Sequence, residues 1–226
     1  MSKAVVLLSG GIDSSTLLYK MVDSGYDCYP LTISYGQRHQ KEILAARNIS
    51  EALGIVKDWE YVDLSILRTL LPSSLTGVGD IPEGHYADES MKSTVVPNRN
   101  MILLSVAAGY AQGLGADTVA YAPHMGDHAI YPDCRPEFVE SVKKTIKLGT
   151  GWTIDEGIHL KTPFVSMTKA DIVKLGSSFY SPPLFYEDTW SCYKGGKLHC
   201  GLCGTCVERK EAFKLAGVHD PTKYES

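Results

Sequence analysis

LLSGGIDSS (residues 7–15) follows directly on an apolar run that begins at Ala4, and it packs two glycines, three serines and one aspartate into seven positions. The run AVVLL (4–8) has the continuous apolar character of a parallel strand buried on both faces. Residues 13–24 then place Leu17, Leu18, Met21 and Val22 at helical spacing before Gly25. A glycine-rich turn between a first strand and its helix presents backbone N–H groups to an anion, with the helix dipole behind them. The stretch is neither a Walker loop, since no Gly-Lys-Ser/Thr follows, nor a G-x-G-x-x-G dinucleotide fingerprint. Asp13 and Ser14 also suit plain helix capping, so both readings stand at this point.

The pattern outward from this turn alternates strand and helix. Residues 28–35 (CYPLTISY) read as a second strand in which Pro30 must sit early or at a bulge. A helix from about His39 to Leu53 ends at Gly54, and 59–64 (WEYVDL) form a third strand. Residues 72–97 are rich in Pro and Gly without lasting periodicity, which predicts a long functional loop, a lid or binding loop. Helix resumes at about 99–113, strand at 118–122, helix at 136–148, strand at 159–164, helix at 169–175, and a last helix over VERKEAFKLAG. Repeated β-α units predict an α/β fold, a Rossmann-like doubly wound parallel sheet whose ligand crevice lies at the carboxyl ends of the strands. The expected division is an α/β domain over 1–175 that carries the anion-binding turn and a C-terminal cysteine-rich helical element over 176–226 packed on it.

Four of the six cysteines crowd into SCYKGGKLHCGLCGTC as Cys192, Cys200, Cys203 and Cys206, a C-x7-C-x2-C-x2-C spacing. Thiolates so spaced can converge on a tetrahedral centre and leave no open position, which predicts one structural Zn2+ per chain. An iron–sulfur cluster is the rival, although the Cys-Pro continuation of ferredoxins is missing. His199 could replace one thiolate but reads as a bystander. Cys28 reads as a small core residue, and Cys134, in a polar segment, as either a nucleophile without an evident base or a buried thiol near the pocket.

Polar segments fall at the expected strand ends. In SYGQRHQKE (34–42), Gln37, Arg38 and His39 should project toward the crevice, while Gln40, Lys41 and Glu42 belong to an exposed helix start. VVPNRNM (95–101) brings Arg99 and Asn100 to a helix start, and the forked donors of Arg99 suit a phosphate or a carboxylate. HMGDHAIYPDCRPEF (124–138) gathers His124, Asp127, His128, Asp133 and Arg135, readable as a metal site or, more naturally, a hydrogen-bonding substrate pocket. Asp133 can accept two parallel hydrogen bonds from an amidine-like edge such as that of guanine. Lys161 in KTPF is a phosphate contact or an exposed strand end.

Composition bounds the partners. The 226 residues are 44% hydrophobic and 21% charged with a formal net charge of −4, which favours a small-molecule substrate over a polyanion and predicts no nucleic-acid partner. The opening MSKAVVLL is too brief for a signal segment, and no run approaches the ~18 apolar residues of a membrane span, so a cytoplasmic protein without membrane contact is expected.

SGGIDSS matches the S-G-G-x-D-S signature of the PP-loop ATP pyrophosphatases. Together with SYGQRH, VPNRN, YPDCRPEF, KTPF, SCYKG, CGLCGTC and ERKEAF, nearly the whole chain resembles the 7-cyano-7-deazaguanine synthase (QueC) family. Two departures stand out: Asn98 replaces the glycine of P-G-R-N, and Gly204-Thr205 replaces an acidic residue and a serine between the last two cysteines. The resemblance implies an ATP-dependent C–N ligase of queuosine and archaeosine precursor biosynthesis. It would convert 7-carboxy-7-deazaguanine and ammonia to the 7-cyano compound through adenylated acid and amide intermediates. It implies that Leu8, Ser9, Gly10, Gly11, Ile12, Asp13, Ser14 and Ser15 hold ATP, and that Asp13, Ser14 and Arg99 act in catalysis, Arg99 and Mg2+ offsetting the phosphates. It further implies that Gln37, Arg38, Asn100, Asp127, Asp133, Arg135 and Lys161 serve the substrate, and that the chain is a homodimer. The alternative of the same fold is a PP-loop tRNA-modifying thiolase or amidotransferase, against which the acidic balance and closed four-cysteine spacing speak. A non-catalytic zinc-ribbon module would leave SGGIDSS without purpose.

Overall fold

The computed structural model describes residues 2–54, 58–151, 156–180 and 183–226. Five strands, β1 (Lys3–Leu7), β2 (Asp27–Ser34), β3 (Glu60–Asp63), β4 (Thr118–Ala120) and β5 (His159–Lys161), form one all-parallel sheet in the order β3-β2-β1-β4-β5. The helices are α1 (Ile12–Asp23), α2 (Lys41–Ala52), the short α3 (Leu67–Leu70), α4 (Arg99–Leu114), α5 (Pro136–Thr150), α6 (Lys169–Gly176) and α7 (Gly204–Ala216).

Alternation along β1 explains the layers. Ala4, Val6 and Leu8 enter one core with Leu17, Leu18, Ala46, Ile49, Ile172, Val173, Ala212 and Phe213, from α1, α2, α6 and α7. Val5 points the other way, into a core built with Leu104, Ala107, Ala111, Val139, Val142 and Ile146 of α4 and α5. A strand buried on both faces must be apolar at every position, and AVVLL is. Strand order reverses at β1, whose neighbours β2 and β4 lie on opposite sides, so the crevice of this topology opens above the carboxyl ends of β1 and β4.

Pro30 is neither terminal nor bulged, since it pairs in register with Val6. The carbonyl of Leu31 accepts from Leu8 N–H (2.9 Å), so Leu31 faces β1 and Pro30 faces the β3 side. There the pairing begins only at Leu31, and the missing proline donor costs no ladder bond.

The 72–97 loop is anchored rather than a free lid. Leu75, Tyr86 and Met91 are buried, a 3-10 turn spans Glu89–Thr94, and Gly84 N–H donates to the Leu202 carbonyl (3.1 Å) of the cysteine-rich segment. α7 begins three residues before the expected Val207, directly after Cys203. Among the described residues no helix is long and apolar enough to cross a membrane.

Candidate active site

The turn after β1 is folded by its own hydroxyls. Ser14 Oγ accepts from Ser9 N–H (3.1 Å) and lies 3.0 Å from Ser9 Oγ, while Ser15 Oγ donates to the Gly11 carbonyl (2.7 Å). Gly10, with φ +87°, passes so close to α2 that a Cβ would lie 2.6 Å from Ala46 N and collide with the Glu42 carbonyl. The glycine therefore serves close approach of the turn to α2, while Ser15 is wholly buried; neither lines the cleft. Leu8, Ser9, Gly11, Ile12, Asp13 and Ser14 do line it. No side chain caps the N-terminus of α1, so its first-turn N–H groups are left for an anion.

Beside this turn lies a buried ionic cluster that the motifs do not show. Lys169 Nζ lies 2.9 Å from Asp13 Oδ2 and 3.0 Å from Glu208 Oε2. Lys169 is the first residue of α6, placed there by a capping box in which Thr168 Oγ1 accepts from Asp171 N–H and Asp171 Oδ2 accepts from Thr168 N–H. His124 is 1% exposed, and its Nδ1 accepts from Gly126 N–H (3.0 Å). That leaves Nε2 as the protonated nitrogen, facing Asp127 Oδ1 (3.5 Å), Glu208 Oε1 (3.7 Å) and Asp13 Oδ2 (4.0 Å). Burial opposes ionisation of Asp13, but Lys169 and His124 outweigh it and hold the carboxyl below its usual range. For Glu208 burial wins and pushes the carboxyl up against the pull of the same two groups. Burial likewise works against the Lys169 charge, yet Asp13 and Glu208 raise it above its ordinary value. Asp13 and Lys169 thus stay charged as a pair.

The other half of the cleft is aromatic. Tyr35, Tyr86, Tyr121, Tyr131 and Tyr193 line it with Arg99, Asn100 and Cys134. Arg99 Nη1 donates to Tyr35 Oη (3.3 Å), and the guanidinium stands 5.3 Å from the Tyr35 ring centroid. Tyr86 Oη donates to Asp127 Oδ1 (2.9 Å), and Tyr131 Oη lies 2.6 Å from Thr94 Oγ1. Burial, then the nearby Asp127 and Asp133, push the Cys134 thiol well above its ordinary range; its sulfur accepts from Asn100 Nδ2 (3.2 Å). A thiol held protonated in this way is a packing group, not a ready nucleophile.

Asn98 has φ 53°, the only non-glycine with positive φ among the described residues, and it immediately precedes α4 without a side-chain cap bond to it. This explains why a glycine is the expected residue and why asparagine, tolerant of the left-handed region, replaces it. The turn then sets Arg99 and Asn100 at the cleft.

Several expected substrate residues stand elsewhere. Gln37 is turned inward: its Oε1 accepts from Tyr35 N–H (2.9 Å) and its Nε2 donates to Glu42 Oε1 (2.8 Å), which shapes the end of β2. Arg38 is exposed and borders a separate hollow with Arg68 and Tyr61. Asp133 Oδ2 accepts from Asn100 N–H (2.9 Å), so it caps the first turn of α4 rather than facing the cleft. Arg135 is exposed and its Nε donates to the His128 carbonyl (2.9 Å), and Lys161 is exposed at the end of β5. Position at a strand end predicted all five, but side-chain direction, which sequence does not encode locally, turned them away. Asn100 and Asp127 do line the cleft. Lys169 and Glu208 were missed because each sits in an ordinary helical pattern; only packing of α6 against α7 brings them to Asp13.

The four cysteines converge. Cys192, Cys200, Cys203 and Cys206 are buried, none forms a disulfide, and one ligand sulfur from each lies within 4.8 Å of all the others. A tetrahedron with metal–sulfur bonds of ~2.3 Å has edges of ~3.8 Å, which this spacing approaches, so the set can hold one metal ion. Backbone N–H groups of Cys200, Leu202 and Cys203 donate to the sulfurs at 3.3–3.4 Å, which stabilises thiolate charge. His199 is not a ligand: its Nε2 accepts from Ser191 N–H (3.1 Å), its ring packs on Trp190, and burial lowers its pKa to about 4. Gly204 lets Met91 approach, since a Cβ would lie 2.6 Å from its sulfur, and Thr205 Oγ1 donates to the Ser191 carbonyl (2.7 Å). The departures from the expected spacer residues therefore carry contacts of their own. This element also walls the cleft through Trp190, Ser191, Tyr193 and Thr205, and Trp190 N–H donates to the Gly10 carbonyl (2.9 Å).

An anion-binding turn at the switch point of a parallel sheet, facing a cleft lined by Lys169 and Arg99, defines a nucleotide-dependent enzyme of the Rossmann-like PP-loop class. The chain belongs to the QueC family: the profile described as "Queuosine biosynthesis protein QueC" matches residues 3–217. It is 50% identical over 224 residues to the 7-cyano-7-deazaguanine synthase of Methanoregula boonei, covering 99% of each chain. It is also 50% identical over 220 residues to the synthase of the same name from Archaeoglobus fulgidus, covering 97% of this chain and 89% of that one. Among solved structures, the U34-tRNA thiolase NcsA from Methanococcus maripaludis with its [4Fe-4S] cluster is similar at 13% identity and a TM-score of 0.48, over 99% of this chain and 74% of that one.

Proposed function

We propose that the protein converts 7-carboxy-7-deazaguanine, ammonia and ATP to 7-cyano-7-deazaguanine. The observation that carries this is a cleft joining the SGGIDSS turn to a tyrosine-lined pocket that holds the Arg99 guanidinium, in a chain half identical to synthases of that name. A carboxylate oxygen of the acid attacks the α-phosphorus of ATP, and pyrophosphate leaves with the electron pair of the broken P–O bond. Ammonia adds to the acyl carbon and expels AMP, giving the amide. The amide oxygen attacks a second ATP in the same way, and loss of AMP and the N–H protons leaves the nitrile. The two oxygens removed from carbon depart on the two AMP molecules.

The turn after β1 and the α1 N-terminus bind the phosphates, with Asp13 kept ionised by Lys169. The tyrosine pocket excludes water from the acyl adenylate, which hydrolysis would otherwise consume. Mg2+ accompanies ATP, and the four buried sulfurs suit Zn2+, because their mutual spacing fits a single ion better than a multi-iron cluster. Such a site is structural: it stiffens the wall that carries Trp190, Ser191 and Tyr193. We take the protein to be a cytoplasmic homodimer acting on small molecules.

The test is incubation of the purified protein with the acid, ammonium and Mg-ATP, followed by mass spectrometry of products and nucleotide. Nitrile with two AMP per turnover is the expected result. Formation of ADP and phosphate would overturn the adenylation route, and no nitrile would overturn the assignment.

A further inference from the structure

Two of the three substrates of the reaction proposed above, the acid and ATP, are anions, and among the described residues two Lys or Arg side chains line the cleft, Lys169 and Arg99. They keep different company. Lys169 touches Asp13 of the PP-loop turn and Glu208, and two contacts leave one of the three ammonium N–H groups unspent. Arg99 touches neither. Its Nη1 donates to Tyr35 Oη and its Nε to Asn100 Oδ1 (3.4 Å), and among the described residues no carboxylate forms an ion pair with it and no partner meets Nη2. Asp133 acts on Arg99 electrostatically but makes no ion pair with it, and its Oδ2 accepts from Asn100 N–H. A planar fork with open donors matches a carboxylate, whereas a compact ammonium beside the PP-loop matches a polyphosphate.

We propose that the two cations divide the two anionic substrates: Lys169 binds the polyphosphate of ATP, and Arg99 binds the carboxylate of the heterocyclic acid. Arg99 then does not offset the phosphates, as the motif alone implies. The inference rests on the function proposed above and adds a consequence to it. The free carboxylate exists only until it is adenylated, in the first half, whereas ATP is consumed in both halves. Arg99 therefore serves the first half chiefly, and Lys169 serves both.

The variants Arg99→Met, Arg99→Lys, Lys169→Met and Lys169→Arg are assayed from the acid and, separately, from the 7-carboxamide, with circular dichroism and thermal melting as fold controls. Calorimetric titration of each with 7-carboxy-7-deazaguanine and with α,β-methylene-ATP reads binding independently of turnover. Arg99→Met is expected to weaken binding of the acid about 10- to 100-fold, the scale of a lost charge-assisted fork, and to depress turnover from the acid at least about tenfold more than from the amide. Its affinity for α,β-methylene-ATP should change far less. Lys169→Met should weaken the nucleotide analogue and depress both starting points alike, with Lys169→Arg partly restoring them. Equal losses from acid and amide in Arg99→Met, a nucleotide defect in that variant, or intact nucleotide binding in Lys169→Met would overturn the division. Wild-type protein that binds both ligands as described yet forms no nitrile would instead remove the proposed function and leave the division standing.

Discussion

Asp13 is surrounded by opposing influences, and their balance sets how the site responds to acid. Burial favours the neutral carboxyl, while Lys169 and His124 favour the charged one and prevail. A carboxyl held below its usual value stays ionised above its own pKa, and the interactions it makes are lost as pH falls through that lowered value. Nucleotide-dependent turnover should accordingly keep its acid limb below the ordinary carboxylate range. Lys169→Met removes a cause of the lowering, so that limb should move to higher pH in a pH profile of ATP turnover; an unmoved limb would show that Lys169 does not act on Asp13. Cys134 gives the converse case, because burial holds its thiol protonated. It should resist iodoacetamide at pH 8, read by peptide mass spectrometry, and Cys134→Ala should keep nitrile formation within about tenfold of wild type. Abolished turnover in a folded Cys134→Ala protein would reinstate a covalent thioester route.

The elements that place these residues owe their geometry to a few backbone requirements. At the entry to α4, Asn98 holds the left-handed conformation that aims Arg99 and Asn100 at the cleft. Asn98→Gly should leave the melting temperature nearly unchanged, whereas Asn98→Val, β-branched in that region, should cost about 1–3 kcal/mol in denaturant unfolding. Equal stability of the two variants would mean that the turn is not strained by its φ. The cysteine element is held by contacts on three sides: the Gly10 carbonyl to Trp190, Gly84 to Leu202, and the wholly buried Arg209, whose guanidinium donates to Thr189 Oγ1 (2.8 Å) and the Tyr186 carbonyl (2.9 Å). Elemental analysis should return one zinc per chain, and stripping it with a chelator should lower the melting temperature and abolish ATP turnover together, because the same segment walls the cleft. Iron with sulfide in place of zinc would refute the single-ion reading.

At the scale of the molecule, the described part of the C-terminal segment divides its apolar residues between two clusters: the four cysteines gather with Trp190, Tyr193, Tyr224 and Ile81, while Leu184, Tyr186, Ala212 and Phe213 share a core with β1 and α1, and α6 packs along α7. The boundary between 175 and 176 therefore falls at the end of α6, inside a continuous packing unit. Differential scanning calorimetry should show one cooperative transition for the metal-loaded chain, and residues 1–175 expressed alone should fail to fold, since truncation strips that core of the aromatic side of α7. Two separable transitions would show instead that the element is an independent domain.

The features legible in the chain alone are local and periodic. AVVLL marked a strand buried on both faces, SGGIDSS marked the anion-binding turn, and the C-x7-C-x2-C-x2-C spacing brought four thiols within reach of one ion, because short-range chain geometry suffices for each. Alternating β-α units likewise set the parallel architecture. Tertiary structure alone decided which side chains meet. Gln37, just past β2, and Asp133 and Arg135, in the segment between β4 and α5, turn to Tyr35, Asn100 and His128, while Lys169 reaches Asp13 from 156 residues away in sequence and Glu208 joins it through Lys169. The meeting of Lys169 and Glu208 beside Asp13 depends on how α6 docks on α1 and α7 on α6, and that docking is set by the summed packing of a shared core rather than by any motif in the chain.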